Sequence, residues 1–142
     1  MSTHTRRLSC LMCFIWLLLA VPATAVAQGE KEVYVATVDP DGVQRVRIVG
    51  GEYFFKPYRI VVKVNVPVEF LASREAGMVP HNLIIQAPQA GIAVEADLAT
   101  EPRKVGFTAT AVGQYPIYCG KKLLFFASHR EKGMEAMLEV VP

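Results

Sequence analysis

The sequence predicts an all-β chain folded as an antiparallel β-sandwich of seven or eight strands. Three observations predict it. Short runs rich in Val, Ile, Tyr and Phe recur from Glu32 to the C-terminus, turn residues separate most of them, and nothing alternates strand with helix as a parallel sheet requires. The size suits one such domain. Of 142 residues, 52% are hydrophobic and 20% charged. A domain of about 115 residues buries roughly two-thirds of its unfolded surface, enough for one core without disulfides.

Taken in order, residues 1–27 carry Arg6-Arg7, an apolar run from Leu8 to about Val21, and Ala25-Val26-Ala27 before Gln28. This predicts a secretory signal peptide with an A-x-A cleavage site, a domain over 28–142, and a periplasmic or secreted destination. A permanent anchor is the alternative. An apolar run of about 14 residues falls short of the ~20 a span needs, and Pro22 breaks it, so no membrane span is expected after cleavage. The Arg6-Arg7 pair suggests the twin-arginine route, but the rest of that motif is poor and ordinary secretion is preferred. Cys10 and Cys13 have C-x-x-C spacing yet lie in the apolar part of the signal, so they are given no role.

Cleavage also removes two of the fifteen basic residues, Arg6 and Arg7, leaving 13 basic against 13 acidic side chains. A neutral domain without a basic stripe lacks the footprint for neutralising phosphates, so nucleic-acid binding is disfavoured.

The first strand is expected over Glu32 to Val38 and the second over Val43 to Val49, joined as a hairpin by Asp39-Pro40-Asp41-Gly42. Val46 and Ile48 alternate there with Arg45 and Arg47, the period of two of a strand with one buried face. Further strands are expected at Arg59 to Lys63, Pro67 to Ala72, His81 to Gln86, Lys104 to Thr110, Gly113 to Cys119 and Ala136 to Val141. The stretch from Gln89 to Thr100, with Ala90, Ala93, Ala96 and Ala99, reads as a loop with room for a helical turn.

Loss of the signal removes His4 as well, leaving two histidines, His81 and His129, and one cysteine, Cys119. An unpaired thiol in an oxidising compartment is either buried and inert or a metal ligand. Two imidazoles and one thiolate are the ligand set of a trigonal type 1 copper centre, completed by a weak axial thioether. Met134, five residues after His129, supplies that thioether. A single histidine in a strand is usually structural, but the order His81, Cys119, His129, Met134 is much harder to obtain by accident than any one member.

These residues resemble the cupredoxins of the plastocyanin and azurin type over roughly Glu32 to Val141. Gly77-Met78-Val79-Pro80-His81-Asn82-Leu83 is similar to the family's first-histidine motif. Gly113-Gln114-Tyr115-Pro116-Ile117-Tyr118-Cys119 is similar to the strand that delivers the cysteine. His129 to Val140, with Gly133-Met134, resembles the closing ligand loop and last strand, and Tyr53-Phe54-Phe55-Lys56-Pro57 adds weaker support. The resemblance implies a Greek-key sandwich and one type 1 copper. It also implies that Asn82 locks the cysteine loop and that the Pro80 carbonyl approaches the metal opposite the methionine. One departure stands out. Cys119 and His129 enclose nine residues, Gly120 to Ser128, where small family members have two to four. Met134 is a better axial candidate than Met137, expected on the last strand, or Met78, expected to pack beside the His81 loop.

No general base, nucleophile triad, phosphate loop or haem motif accompanies the ligands, so the expectation is a monomeric electron carrier rather than an enzyme. A copper carrier acting in metal delivery is the alternative, and a sandwich serving only as an interaction module is a third reading. The loop Gly120 to Lys132 carries Leu123-Leu124-Phe125-Phe126 and a net charge of +3. It reads as a docking surface for an acidic redox partner, such as a c-type cytochrome or a membrane oxidase domain. The competing reading is that these four side chains cap the core.

Overall fold

The computed structural model describes residues 31–142; the signal peptide expected over 1–27, with His4, Cys10 and Cys13, lies outside the described residues. Ten strands form two sheets: β1 Val33–Val35, β2 Gln44–Gly51, β3 Phe54–Lys56, β4 Arg59–Lys63, β5 Pro67–Arg74, β6 Asn82–Ala87, β7 Ile92–Asp97, β8 Arg103–Thr108, β9 Gly113–Tyr118 and β10 Glu135–Val141. One sheet runs β1-β4-β10-β9-β6-β7 and the other β3-β2-β5-β8. Among the described residues, no helix is long and apolar enough to cross a membrane.

The all-β sandwich is as the strand runs predicted, with three differences of detail. The expected hairpin of the first two runs does not form. Beyond an isolated bridge between Val38 and Gln44, β1 pairs with β4 while β2 joins the opposite sheet beside β3 and β5. Asp39 to Gly42 is therefore a crossover between sheets. The stretch after Pro88 is one 3-10 turn, Pro88–Ala90, followed by β7, in which Ile92 and Val94 face inward. Gly91, at φ +71, makes the reversal between them. Finally, both sheets are mixed. β1 with β4, β4 with β10 and β2 with β5 run parallel, because the chain crosses between sheets and returns beside a strand laid down earlier.

Period-two burial builds the core. Val46 and Ile48 of β2, Ile60 and Val62 of β4, Val68, Phe70 and Ala72 of β5, Tyr115 and Ile117 of β9, and Ala136, Leu138 and Val140 of β10 all face between the sheets. Phe70 meets Phe107 edge to face, with ring centroids 5.2 Å apart. Leu83, Ile84 and Ile85 of β6 are buried in succession, so that strand is covered on both faces.

One core position is polar. Gln44 is fully buried, and its amide accepts from the Lys63 N–H at 2.7 Å and donates to the carbonyls of Lys63 at 3.2 Å and Val66 at 3.4 Å. It thereby pins β2 to the turn that carries the chain from β4 to β5. Gln44→Ala strands those backbone groups without water, and each buried unpartnered group costs about 1–3 kcal/mol. Denaturant unfolding should show a loss of that size; a loss under about 0.5 kcal/mol, within the range of ordinary surface changes, would refute the pinning role.

Candidate metal centre

All four predicted residues lie at one end of the six-stranded sheet, just outside its strands. His81 precedes β6, Cys119 follows β9, His129 stands in the β9–β10 connection and Met134 precedes β10. None is more than 5% exposed. Backbone bonds tie them to one another. Met134 N–H donates to the His129 carbonyl at 2.9 Å, Cys119 N–H to the Met134 carbonyl at 3.2 Å, and Leu98 N–H to the His81 carbonyl at 2.9 Å.

The nine-residue connection leaves this arrangement intact. His129 N–H donates to the Lys121 carbonyl at 2.9 Å, so the connection is an excursion closed at its base, and a Lys121–Asp97 ion pair at 2.7 Å holds that base to β7. The turn beyond it is set by a capping box. The Ser128 N–H and hydroxyl donate to the Glu131 carboxylate at 2.6 and 2.8 Å, and Glu131 N–H donates back to the Ser128 hydroxyl at 3.2 Å. The Ser128 bonds hold the Glu131 carboxyl below its usual range. Gly133, at φ +95, then turns the chain so that Met134 enters β10.

The donor atoms of His81, Cys119 and His129 all lie within 4.8 Å of one another. The two Nδ1 atoms are 3.1 Å apart, and Cys119 Sγ lies 4.0 Å from His81 Nδ1 and 3.5 Å from His129 Nδ1. These sides enclose about 5.2 Å², so the circle through the three atoms has a radius (the product of the sides over four times the area) of about 2.1 Å. A first-row metal binds imidazole nitrogen at about 2.0 Å and thiolate sulfur at about 2.3 Å, so one ion in the plane of the triangle fits all three donors. Burial is the main influence pushing both imidazoles below their ordinary pKa. For His81 the neighbouring His129 and then Arg74 add to it, and for His129 Lys132 does. Both shifts favour the neutral imidazole, the form that coordinates a metal.

Asn82 locks the cysteine as the resemblance implied. Its side-chain oxygen accepts from Gly120 N–H at 2.8 Å, and its own N–H points at Cys119 Sγ at 3.5 Å. Met134 reaches toward the opposite sheet, where a Cβ on Gly50 would lie 3.1 Å from Met134 Cε and 2.9 Å from Leu98 Cδ1, so a larger residue at position 50 would displace these two side-chain ends. Met137 sits on β10 as expected, whereas Met78 does not pack beside the His81 loop but is fully exposed.

Sequence reasoning missed two supports of the site. The Ser128-x-x-Glu131 box was legible as a motif. Tyr53, whose ring meets His129 edge-on at 5.3 Å and 78°, was legible only as part of the Tyr53 to Pro57 run, and its contact with His129 was not, because nothing local says where a turn residue of the opposite sheet will point.

The four apolar residues of the excursion do not cap the core. Leu123, Leu124, Phe125 and Phe126 are 50–83% exposed. A hollow of about 460 Å³ lies between this loop and the His81 loop, with His129, Tyr53, Met78 and Phe126 in its walls and Lys121, Lys122 and Lys132 also lining it.

No sequence-family model matches the chain, and no curated protein matches it. Solved structures do. The metal binding domain of the Cu(I) exporting P-type ATPase CopA of Streptococcus pneumoniae D39 is similar with a TM-score of 0.60 at 19% identity, over 80% of this chain and 100% of that one. Auracyanin A, a blue copper protein from Chloroflexus aurantiacus, gives 0.53 at 20% identity over 70% and 100%. A haem-copper terminal oxidase structure gives 0.56 at 17% identity over 87% and 80%. The chain thus has the cupredoxin fold.

If Asn82 is the lock, Asn82→Ala should lower stability by about 1–3 kcal/mol by leaving Gly120 N–H unpartnered. It should also speed hydrogen exchange at the Gly120 amide more than at the β10 amides. Unchanged exchange at Gly120 would show that the loop is held by something else.

Proposed function

We propose that the chain is a type 1 copper protein that shuttles single electrons between redox partners, with one copper held by His81, Cys119 and His129 and a weak axial contact from Met134. The observation that carries this reading is the triangle of two Nδ1 atoms and one Sγ with its radius near 2.1 Å. When bound, copper supplies a one-electron couple between its cuprous and cupric states, the first suited to soft sulfur and the second accepting imidazole. The chain's own residues do the rest. Asn82, the capping box and the His129–Lys121 bond hold the donors in place. Burial keeps water from the site, and the buried Met134 brings a thioether to the same end of the sandwich. That set suits a carrier rather than an enzyme.

The reading includes export by a signal peptide over 1–27, a domain over 28–142, a periplasmic location and a monomeric carrier. Electrons pass through the His129 side, where the apolar excursion and its lysines meet an acidic partner such as a c-type cytochrome or an oxidase domain. Weak electron-transfer complexes need only a small interface, with charge steering the encounter. A second reading, copper delivery, has one observation in its favour: the neighbour at TM-score 0.60 is a domain of a copper exporter. Slow cuprous release on a timescale of hours, beside fast electron self-exchange, would decide for the carrier.

Copper loading should produce one intense visible thiolate-to-copper band. Cys119→Ser should abolish it, and a surviving band would overturn the ligand assignment. Met134→Leu should retain copper and raise the reduction potential, since a donor that favours the oxidised ion is lost. An unchanged potential, with Met137→Leu shifting it instead, would move the axial role.

Changing Lys122 to Glu should slow association with an acidic partner at low ionic strength, by about twofold or more, and flatten its salt dependence while leaving the visible spectrum alone. Unchanged association would remove the excursion from the docking surface.

A further inference from the structure

Tyr53 packs at the edge of the core, but core packing alone does not explain its backbone. It stands in the turn between β2 and β3 at φ +63, a left-handed conformation that Asn or Gly takes readily and a bulky aromatic residue seldom does. What the strained conformation achieves is contact. The half-buried Tyr53 ring meets the edge of the His129 ring, with centroids 5.3 Å apart. On its far side Lys132 folds back, with Nζ donating to the Tyr53 hydroxyl at 2.9 Å and lying 4.4 Å from the ring centroid. A lysine on an exposed turn ordinarily extends into water; two contacts hold this one against the site.

We infer that Tyr53 and Lys132 form a clasp over the second histidine, in which Tyr53 fixes the His129 ring and keeps the Lys132 ammonium at the edge of the metal site, where its charge raises the reduction potential. This rests on the copper reading above. Neither residue touches the ion; both are positioning residues. The mechanism is electrostatic. A held positive charge beside a partly buried site favours the ion of lower charge, whereas the same charge waving in water is screened. The strain belongs to the same account: a residue comfortable in this turn has no ring to place against His129 and no hydroxyl to hold Lys132.

The test uses the copper-loaded protein and the reduction potentials of wild type, Lys132→Gln, Tyr53→Phe and the double variant. Tyr53→Phe keeps the ring and removes only the hydroxyl. Both single changes should lower the potential, and the shift caused by Lys132→Gln should fall to less than about half in the Tyr53→Phe background, the non-additivity expected of coupled residues. Equal shifts in the two backgrounds overturn the clasp. A copper-free measurement keeps the outcome separate from the copper reading. Tyr53→Asn should fold with an unfolding temperature at or above wild type, since Asn relieves the turn. It should nonetheless raise the mobility of the His129 ring in NMR relaxation. An unchanged His129 ring overturns the positioning role whatever the metal. Absence of any thiolate-to-copper band in wild type sinks the copper reading and leaves the ring contact to be judged by NMR alone.

Discussion

The site depends on one side chain standing in for a sheet ladder. β6 and β9 are neighbours in the six-stranded sheet, but the ladder between them registers only at Ile84 and Tyr118. Toward the metal end the two strands end and their residues become His81 and Cys119. Asn82 opposes Gly120 in that register and completes the pairing with its amide oxygen instead of its backbone. The substitution has two consequences. It ends the sheet, so that the flanking side chains turn into the gap between strands, and it ties the two halves of the donor set together at the point where the ladder stops. A backbone pair there would continue the sheet and leave no gap. An apolar residue would leave the Gly120 amide unpartnered beneath a buried thiol, a cost of about 1–3 kcal/mol.

The third donor comes from a connection, yet it is held no less firmly. The His129–Lys121 bond closes the excursion, the Ser128–Glu131 box forms the next turn, and the Met134 N–H closes back on the His129 carbonyl. The path length between Cys119 and His129 is therefore almost irrelevant to where His129 ends up. Loop-closure entropy grows only slowly with length, so a few added residues cost little once the base is pinned. That is why a connection far longer than in small relatives of this fold coexists with a compact donor triangle.

How much of this was legible follows the same physics. The sandwich and its core were readable because period-two burial is local, as in Val46, Ile48 and Val68, Phe70, Ala72. The donor set was readable because so few thiol and imidazole groups follow residue 27. The pairing was not. The Asp39 to Gly42 turn looks like a hairpin, and only the competition for Gln44, Val46 and Ile48 by the opposite sheet sends β2 across. β7 was obscured because its alanines repeat every three residues while Ile92 and Val94 repeat every two, and burial follows the larger side chains. The contact of Tyr53 with His129 was invisible for a deeper reason, since the two are 76 positions apart in the sequence and the Tyr53 conformation is one that local propensity disfavours.

The division of labour between scaffold and excursion bears on what such a centre can do. The groups that fix the donors lie within the sandwich end, the base of the excursion or the turn after it: Tyr53, Asn82, Lys121 through its carbonyl, Ser128, Glu131 and Gly133. The residues between, Leu123 to Phe126, contribute nothing to the donor triangle and present apolar surface to solvent instead. Burying four such side chains against each other or the core would be worth about 1.5–3 kcal/mol each, so their exposure has to be offset by the rest of the fold or relieved by a partner. Exposed apolar surface and donor geometry are thereby carried by different residues. A change in the excursion can alter which surface is met without moving a donor atom, and a change at Asn82 can loosen the donors without altering the surface. That separation lets the exposed surface vary while the triangle of donor atoms stays fixed.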